Sequence, residues 1–233
     1  MTSFSVNSPA SSCDKFVDAP LKAHLRAVII LAGGTGKRLG GVSKPDIKIA
    51  GKRLLDHCLD HLPHNTQPIV IAPPTVTVDP HVIRLLEDPP LSGPAAGLHA
   101  GWDYCRGELH LLREDVIGLL PVDAPLAGYA LRELTQKFRV NSDDTDGKPY
   151  SYPDSCLLAY ANNHVQRCVG VFSPSALVDA CQEKTRNISM RRFLQRIPEN
   201  NIREIPVNPQ WVCDVDTPQD LAHIAELLSA NRA

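Results

Sequence analysis

The chain has 233 residues, of which 43% are hydrophobic and 21% are charged, and its formal net charge is −2 at pH 7. This composition predicts a globular protein with a core of ordinary size, and its charge gives no electrostatic case for nucleic acid or an anionic membrane as a partner. No apolar run approaches the ~20 residues that cross a bilayer. The seven cysteines are odd in number and form no Cys-x-x-Cys pair, which predicts reduced thiols in a cytoplasmic protein.

Taken in chain order, residues 1–25 are expected to form a flexible N-terminal tail, because they begin rich in Ser, Pro and Asn and lack the features of a signal peptide. Residues 26–230 are expected to form a single domain. Short apolar runs predict strands at 26–32, 68–72, 116–123, 167–172 and 203–207. Helical spacing of apolar residues predicts helices at 53–62, 97–105, 127–138, 175–184 and 189–197. Thr217, followed by Pro218 and by Asp220 three residues on, predicts the N-cap of a last helix.

The alternation of strands and helices predicts a three-layer α/β fold with a mainly parallel sheet. Ligands of such sheets bind beyond the carboxyl ends of the strands, where the segment after the first strand and Asp123 after the third are expected. The stretch 141–156 is polar and rich in turn formers, so residues 141–166 are interpreted as a surface insertion. Its aspartates do not form a calcium loop, because Ser142 and Pro153 stand at two of the ligand positions.

A glycine-rich stretch, LAGGTGKRLGGVSKPD, runs from Leu31 to Asp46 and follows the first strand. It is not a P-loop, because arginine follows Gly36-Lys37, and it is not a dinucleotide fingerprint, because Gly40 comes one residue too late. A loop of this length can wrap a triphosphate with its backbone N–H groups, while Arg38 and Lys44 close over the phosphates. The alternative is a tight turn with solvated basic residues, and the presence of both cations favours the phosphate interpretation.

The sequence LAGGTGKRLGGVSKPDIKIAGKRLLDH, at 31–57, resembles the signature of the nucleotidyltransferase superfamily. Within it the chain resembles the molybdenum cofactor guanylyltransferase family, through three further segments. These are EDPPLSGPAAGLHAG at 87–101, GLLPVDAPLA at 118–127 and DVDTPQDLAHI at 214–224. The resemblance covers residues 26–138 and 186–228 and implies a Rossmann-like nucleotidyltransferase fold.

The reaction that the resemblance implies transfers GMP from GTP to molybdopterin, with Mg²⁺ as cofactor and release of pyrophosphate. The attacking phosphate oxygen is already anionic near neutral pH, so the protein aligns two polyanions and neutralises charge on the leaving group. The implied partners are GTP, molybdopterin and other proteins of molybdenum cofactor assembly, with neither nucleic acid nor membrane. The chain is expected to be a monomer or a weak oligomer.

The resemblance also assigns the site residues by motif. Arg38 and Lys44 clamp phosphates and Asp123 binds Mg²⁺, and these three form the catalytic set. The nucleotide-binding set is Leu31, Ala32, Gly33, Gly34, Lys44, Asp88, Gly93 and Gly97, with Asp88 on the nucleoside side. Asp216, or else Asp214, completes the metal site. The alternatives are helix capping for Asp123, Asp214 and Asp216, and a turn before proline for Asp88.

The sequence departs from the family pattern at positions that affect which nucleotide base and which acceptor molecule the chain is expected to use. Ser43 stands where the family has Asp, Ala72-Pro73 where it often has Asn, and Asp214 and Asp216 where it has two asparagines. A molybdopterin cytidylyltransferase or a sugar-phosphate nucleotidyltransferase is therefore the alternative enzyme, although Gly33-Gly34 favours a purine because pyrimidine-using relatives carry Ala at the first position. A catalytically silent nucleotide-binding adaptor is the alternative from another class, and the intact catalytic set argues against it.

Overall fold

The computed structural model describes residues 21–34, 41, 43–140 and 155–230. The strands are β1 Leu21–Lys22, β2 His24–Leu31, β3 Lys48–Ile49, β4 Lys52–Arg53, β5 Gln67–Ile71, β6 Ile83–Leu85, β7 Asp115–Pro121, β8 Arg139–Val140, β9 Cys156–Ala161, β10 His164–Phe172 and β11 Ile202–Pro206. The α-helices are α1 Leu54–Asp60, α2 Pro94–Glu108, α3 Ala127–Lys137, α4 Pro174–Ala180, α5 Met190–Leu194 and α6 Pro218–Ala230. Short 3-10 turns occupy Lys44–Asp46, Glu199–Asn201 and Pro209–Val212.

Seven strands form the central sheet, in the order β11-β9-β10-β7-β2-β5-β6. Strands β7, β2, β5 and β6 pair in parallel, as do β9 and β11. Strand β10 pairs antiparallel with both β7 and β9, so of the seven strands described here it alone runs against the others. The prediction of an α/β fold with a mainly parallel sheet is confirmed.

The sheet separates two apolar cores, because successive side chains of a strand point to opposite faces. In β2, Val28 and Ile30 face the core covered by α1, α3 and α6. Ala27 and Ile29 face the core covered by α2, α4 and α5. All four side chains are fully buried, which is why the strand is an unbroken apolar run rather than an alternating one. The result is the predicted order of helix layer, sheet and helix layer.

The surface insertion predicted at 141–166 was wrong for its C-terminal part. Residues 156–161 form β9 inside the central sheet, and the chain returns from His164 as β10. Asn162 and Asn163 join the two strands with φ values of 52° and 57°, the left-handed conformation that a type I′ hairpin turn requires and asparagine tolerates. Residues 141–154 lie outside the described residues.

The tail predicted at 1–25 differs from the structure at its C-terminal end. Leu21 and Lys22 pair with Val140 and Arg139 in an antiparallel ribbon. His24 then opens β2, and its Nδ1 lies 2.7 Å from the buried Asp115 carboxylate. These contacts tie the segment to the domain. Residues 1–20 lie outside the described part of the chain.

The start of α6 has the capping box predicted from the sequence. The Asp220 N–H donates to Thr217 Oγ1 at 3.3 Å, and the Thr217 N–H donates to the Asp220 carboxylate at 2.8 Å. The Asp216 N–H donates to the same carboxylate at 3.1 Å, so the capping box also fixes the backbone just before the helix. Across the described ranges, none of the helices is both long enough and apolar enough to span a membrane.

Candidate active site

Lys44, Asp123 and Asp216 form an ionic cluster at the carboxyl edge of the sheet. The Lys44 Nζ donates to Asp123 Oδ2 at 2.6 Å and to Asp216 Oδ1 at 2.7 Å. The Lys44 side chain is 16% exposed, against 22% for Asp123 and 45% for Asp216. The cluster therefore joins three distant parts of the sequence at one partly buried point.

Backbone hydrogen bonds explain why these segments meet. The Val122 N–H, just past the end of β7, donates to the Leu31 carbonyl at the end of β2 at 3.0 Å. The Val215 N–H donates to the Asp123 carbonyl at 2.8 Å, which brings the segment before α6 beside the end of β7. The two aspartates are thus set by main-chain contacts. Lys44 enters from the 3-10 turn Lys44–Asp46.

The pKa values in the cluster follow from burial and from neighbouring charges. Burial acts to lower the pKa of Lys44, but the hydrogen bonds to Asp123 and Asp216 outweigh it and hold this pKa above its ordinary value. Lys44 is accordingly an ammonium at neutral pH. Nearby, burial and then the charges of Asp123 and Asp216 raise the pKa of Asp214 to about 6. The edge therefore carries crowded negative charge that a cation must balance.

A cleft of about 260 Å³ opens at the same edge, beyond the ends of β2 and β5. Its lining residues are Leu31, Gly33, Gly34, Ile71, Glu87, Leu91, Gly93, Pro94 and Gly97. Gly93 has φ +94°, which suits glycine, and it lets the chain turn into α2. A Cβ at Gly97 would lie 2.8 Å from Leu31 Cδ2, so the missing side chain lets α2 approach β2 closely. Five of the eight predicted nucleotide-binding residues line this cleft.

Gly34 connects the cleft to the ionic cluster. It lines the cleft, and a Cβ placed on it would lie 3.3 Å from Lys44 Cδ. The carbonyl of Leu31 and the N–H of Ala32 are already used in hydrogen bonds to Val122 and Ile71. Among the described residues no carbonyl accepts from the N–H of Gly33 or Gly34. Those two glycines can therefore offer backbone donors to a ligand between the cleft and the cluster.

Glu87 is a cleft residue that the sequence prediction missed. It is 6% exposed, its Oε1 accepts the Leu91 N–H at 2.9 Å, and its buried Oε2 has no hydrogen-bond partner among the described residues. The predicted Asp88 lies instead in a neighbouring groove, beside His99 and Asp103. An unpartnered buried carboxylate oxygen costs free energy, so a ligand with N–H donors fits this wall of the cleft.

Three further predicted site residues are Arg38 and the two candidates for a second metal ligand, Asp214 and Asp216. Arg38 lies outside the described residues, so its phosphate contact stays a prediction. Of the two candidates for a second metal ligand, Asp216 reaches the cluster, whereas the contacts described for Lys44 do not include Asp214. The structure thus brings together Lys44, Asp123 and Asp216 and leaves Asp214 at their side.

The cluster also fits the donor chemistry of a magnesium site. Among the described residues no three His, Cys, Asp or Glu side chains group closely enough to form a metal cage on their own. Mg²⁺ is commonly held by only one or two protein carboxylates, because waters and substrate phosphates supply its other oxygens. Asp123 and Asp216 provide two such carboxylates that converge on one point.

The sequence is similar to known proteins. A family model described as MobA-like NTP transferase domain matches residues 28–201. A molybdenum cofactor guanylyltransferase from Vibrio cholerae is 32% identical over 203 residues, which are 85% of this chain and 91% of that protein. Another, from Acidiphilium cryptum, is 36% identical over 117 residues, which are 46% of this chain and 55% of that protein.

The fold is similar to a solved structure as well. Molybdopterin-guanine dinucleotide biosynthesis protein A from Archaeoglobus fulgidus superposes with a TM-score of 0.57 at 19% identity, covering 88% of this chain and 99% of that one. The family match spans most of the described domain, including the glycine-rich loop, the cleft and Asp123. The chain therefore belongs to the family of MobA-like NTP transferases.

Proposed function

We propose that the chain transfers GMP from GTP to the terminal phosphate of molybdopterin and releases pyrophosphate, with Mg²⁺ as its cofactor. The observation that carries the proposal is that cleft and ionic cluster are continuous through Gly34. A nucleoside in the cleft extends its phosphates toward Lys44 and Asp123. The relatives named molybdenum cofactor guanylyltransferase support GTP and molybdopterin as the two substrates.

Glu87 supports guanine as the base. The guanine ring N1–H and its 2-amino group donate side by side, so a carboxylate can accept from both. The Leu91 N–H uses one lone pair of Glu87 Oε1, and among the described residues no donor reaches the buried Oε2. The carboxylate therefore keeps acceptor capacity for both guanine donors once a base packs against it. Cytosine presents the ring acceptor N3 beside its amino group. This acceptor would face a carboxylate oxygen, and the two lone pairs would repel each other. The cleft thus favours GTP over the CTP of the alternative cytidylyltransferase.

The ionic cluster supplies what phosphoryl chemistry requires. An anionic oxygen of the acceptor phosphate attacks the α-phosphorus of GTP, and the bond from that phosphorus to the β-phosphate's bridging oxygen breaks. No proton has to be removed from the nucleophile. Lys44 and, as predicted from the motif, Arg38 bind the phosphates and stabilise charge on the pyrophosphate. Asp123 and Asp216 would hold Mg²⁺, which when bound neutralises phosphate charge.

A thermal-shift panel tests the choice of nucleotide. GTP, ATP, CTP, UTP and dTTP are compared at equal concentration with Mg²⁺, because a ligand that binds only the folded chain raises the melting temperature as its concentration exceeds Kd. We expect the largest rise with GTP. A larger rise with CTP would move the chain to the cytidylyltransferase alternative. Equal rises with all five would remove the role of Glu87 in reading the base.

A further inference from the structure

Lys44 occupies the point on which the two carboxylates of the candidate metal site converge. Its Nζ lies 2.6 Å from Asp123 Oδ2 and 2.7 Å from Asp216 Oδ1. The Lys44 side chain is 16% exposed and that of Asp123 is 22% exposed, so their short contact is a charge-assisted pair that solvent screens only partly. Asp216 joins it from the more open side, with 45% of its side chain exposed. The lysine therefore neutralises part of the negative charge that the aspartates bring together.

A divalent cation needs the oxygens that this ammonium now holds. Mg²⁺ prefers carboxylate oxygens, and a like charge a few ångströms away in a partly buried site opposes its binding. Lys44 can keep its place only if the metal stays weakly bound. Its alternative partner lies close by, because the Lys44 stem borders Gly34, which lines the cleft. A triphosphate in that cleft offers the ammonium new anionic oxygens.

We propose that Lys44 is a resident counter-cation of the Asp123–Asp216 pair, which leaves the pair for the nucleotide phosphates and so makes metal and nucleotide bind cooperatively. The inference rests on the proposed function for the identity of the nucleotide and the metal. Until metal and nucleotide both bind, the Lys44 ammonium occupies the site as the chain's own cation. By linkage, the factor by which nucleotide strengthens metal binding equals the factor by which metal strengthens nucleotide binding.

Manganese binding measured without any nucleotide tests this exchange. Mn²⁺ serves as the probe, and the free ion is counted by its electron paramagnetic resonance signal. We expect Lys44→Met to bind Mn²⁺ about tenfold or more tightly than the wild type, a factor within the usual range of coupling between sites. Lys48→Met is the matched control, because Lys48 is an exposed lysine four residues away, and it should bind Mn²⁺ as the wild type does.

A second arm measures the coupling itself. Wild-type Mn²⁺ affinity should rise severalfold when GTP is added, and in Lys44→Met the rise should be clearly smaller. Lys44→Gln gives a second reading should the methionine variant fold poorly by circular dichroism. Unchanged or weaker Mn²⁺ binding in the nucleotide-free Lys44 variants, or no GTP coupling in the wild type with GTP shown to bind, would overturn the proposal.

The two arms separate this proposal from the proposed function. If Lys44→Met gains Mn²⁺ affinity but GTP binds no better than CTP, the exchange holds and the choice of nucleotide is wrong. Coupling is then measured with the nucleotide that binds, and its absence overturns the exchange. Asp123→Asn should weaken Mn²⁺ binding in either case, and if it does not, the carboxylate pair is not the metal site and the exchange falls with it.

Discussion

Lys44 and Asp123 are 79 positions apart in the chain, and a hydrogen bond of 2.6 Å joins their side chains. One follows the glycine-rich loop after β2 and the other follows β7, so the contact links the ends of two neighbouring parallel strands.

Lys44→Ala should lower kcat and kcat/KM together, by about 10²-fold or more, because a cation that stabilises the leaving group acts mainly in the transition state. Lys44→Arg keeps the charge but replaces a compact ammonium with a planar fork, so it should retain GTP binding and lose most activity. Pyrophosphate release at saturating GTP and molybdopterin measures both. Full activity of the alanine variant would contradict a catalytic role, and weaker GTP binding alone would indicate a nucleotide-binding scaffold.

Asp123→Asn should leave the fold intact and remove a hard anionic ligand. The two side chains are nearly isosteric, and the Asp123 carbonyl that accepts the Val215 N–H is unchanged. We expect turnover to fall by orders of magnitude, because metal stabilisation of phosphate charge contributes several kcal/mol. Rates measured across a Mg²⁺ titration are the readout. Near wild-type turnover with the same Mg²⁺ dependence would exclude Asp123 as a ligand.

Glu87→Gln should weaken GTP binding and the preference for guanine. The new amide can place an N–H against the guanine donors, and leaving such groups unpaired costs about 1–3 kcal/mol, or roughly 5- to 150-fold in affinity. Asp88→Asn is the matched control, because Asp88 lies in the neighbouring groove. Kd values for GTP and CTP measure the effect. Weaker GTP binding by Asp88→Asn, with unchanged binding by Glu87→Gln, would instead support Asp88 as the nucleotide-binding residue, as the motif predicted.

Asp214 should make the stability of the metal-free chain depend on pH with a definite sign. Burial and then the charges of Asp123 and Asp216 raise its pKa from 3.8 to about 6. Between these values the folded chain keeps a proton that the unfolded chain has lost, so the Asp214 contribution to stability falls as pH rises through that window. Although protein atoms crowd the carboxylate, the residue keeps an exposed surface, and solvent screening keeps the effect modest.

The corresponding measurement compares melting temperatures of the wild type and Asp214→Asn from about pH 4 to pH 7. Asparagine carries no proton to lose, so the melting temperature of the variant should rise relative to that of the wild type as pH increases to about 6. Above that pH the difference between the two melting temperatures should stay constant. An advantage that does not change with pH would show that the Asp214 carboxyl titrates normally.

The parts of the fold that could be predicted from sequence are those with an uninterrupted local signal. The apolar run before the glycine-rich loop became β2, and the Thr217–Asp220 capping box starts α6 as expected. The strand predicted at 167–172 forms most of β10, but β9 and the start of β10 were missed because the polar residues before them dominated the interpretation of the segment. The signal of the hairpin was present, since an apolar run leads into the pair Asn162-Asn163, which suits a tight hairpin turn.

The candidate site was predictable to the level of segments and not of individual side chains. Motif resemblance pointed to the residues around 31–34, 44, 88, 93–97, 123 and 214–216, and the structure brings most of them to one edge of the sheet. The sequence did not show which of the adjacent acidic residues, Glu87 or Asp88, lines the cleft. Glu87, rather than Asp88, lines the cleft because the turn that follows donates the Leu91 N–H to its carboxylate, and loop geometry of this kind leaves no periodic trace in a sequence.

We propose that this chain joins GMP to molybdopterin, and formation of the dinucleotide product is the decisive measurement. The purified chain is incubated with Mg²⁺, molybdopterin and either GTP or CTP, and the dinucleotide and pyrophosphate are quantified together. We predict equimolar pyrophosphate and guanine dinucleotide from GTP, at a rate that greatly exceeds the rate with CTP and that Asp123→Asn abolishes. A cytosine dinucleotide formed faster than the guanine one, or no dinucleotide from a chain that binds GTP and Mg²⁺, would show that the chain is not a guanylyltransferase of molybdopterin.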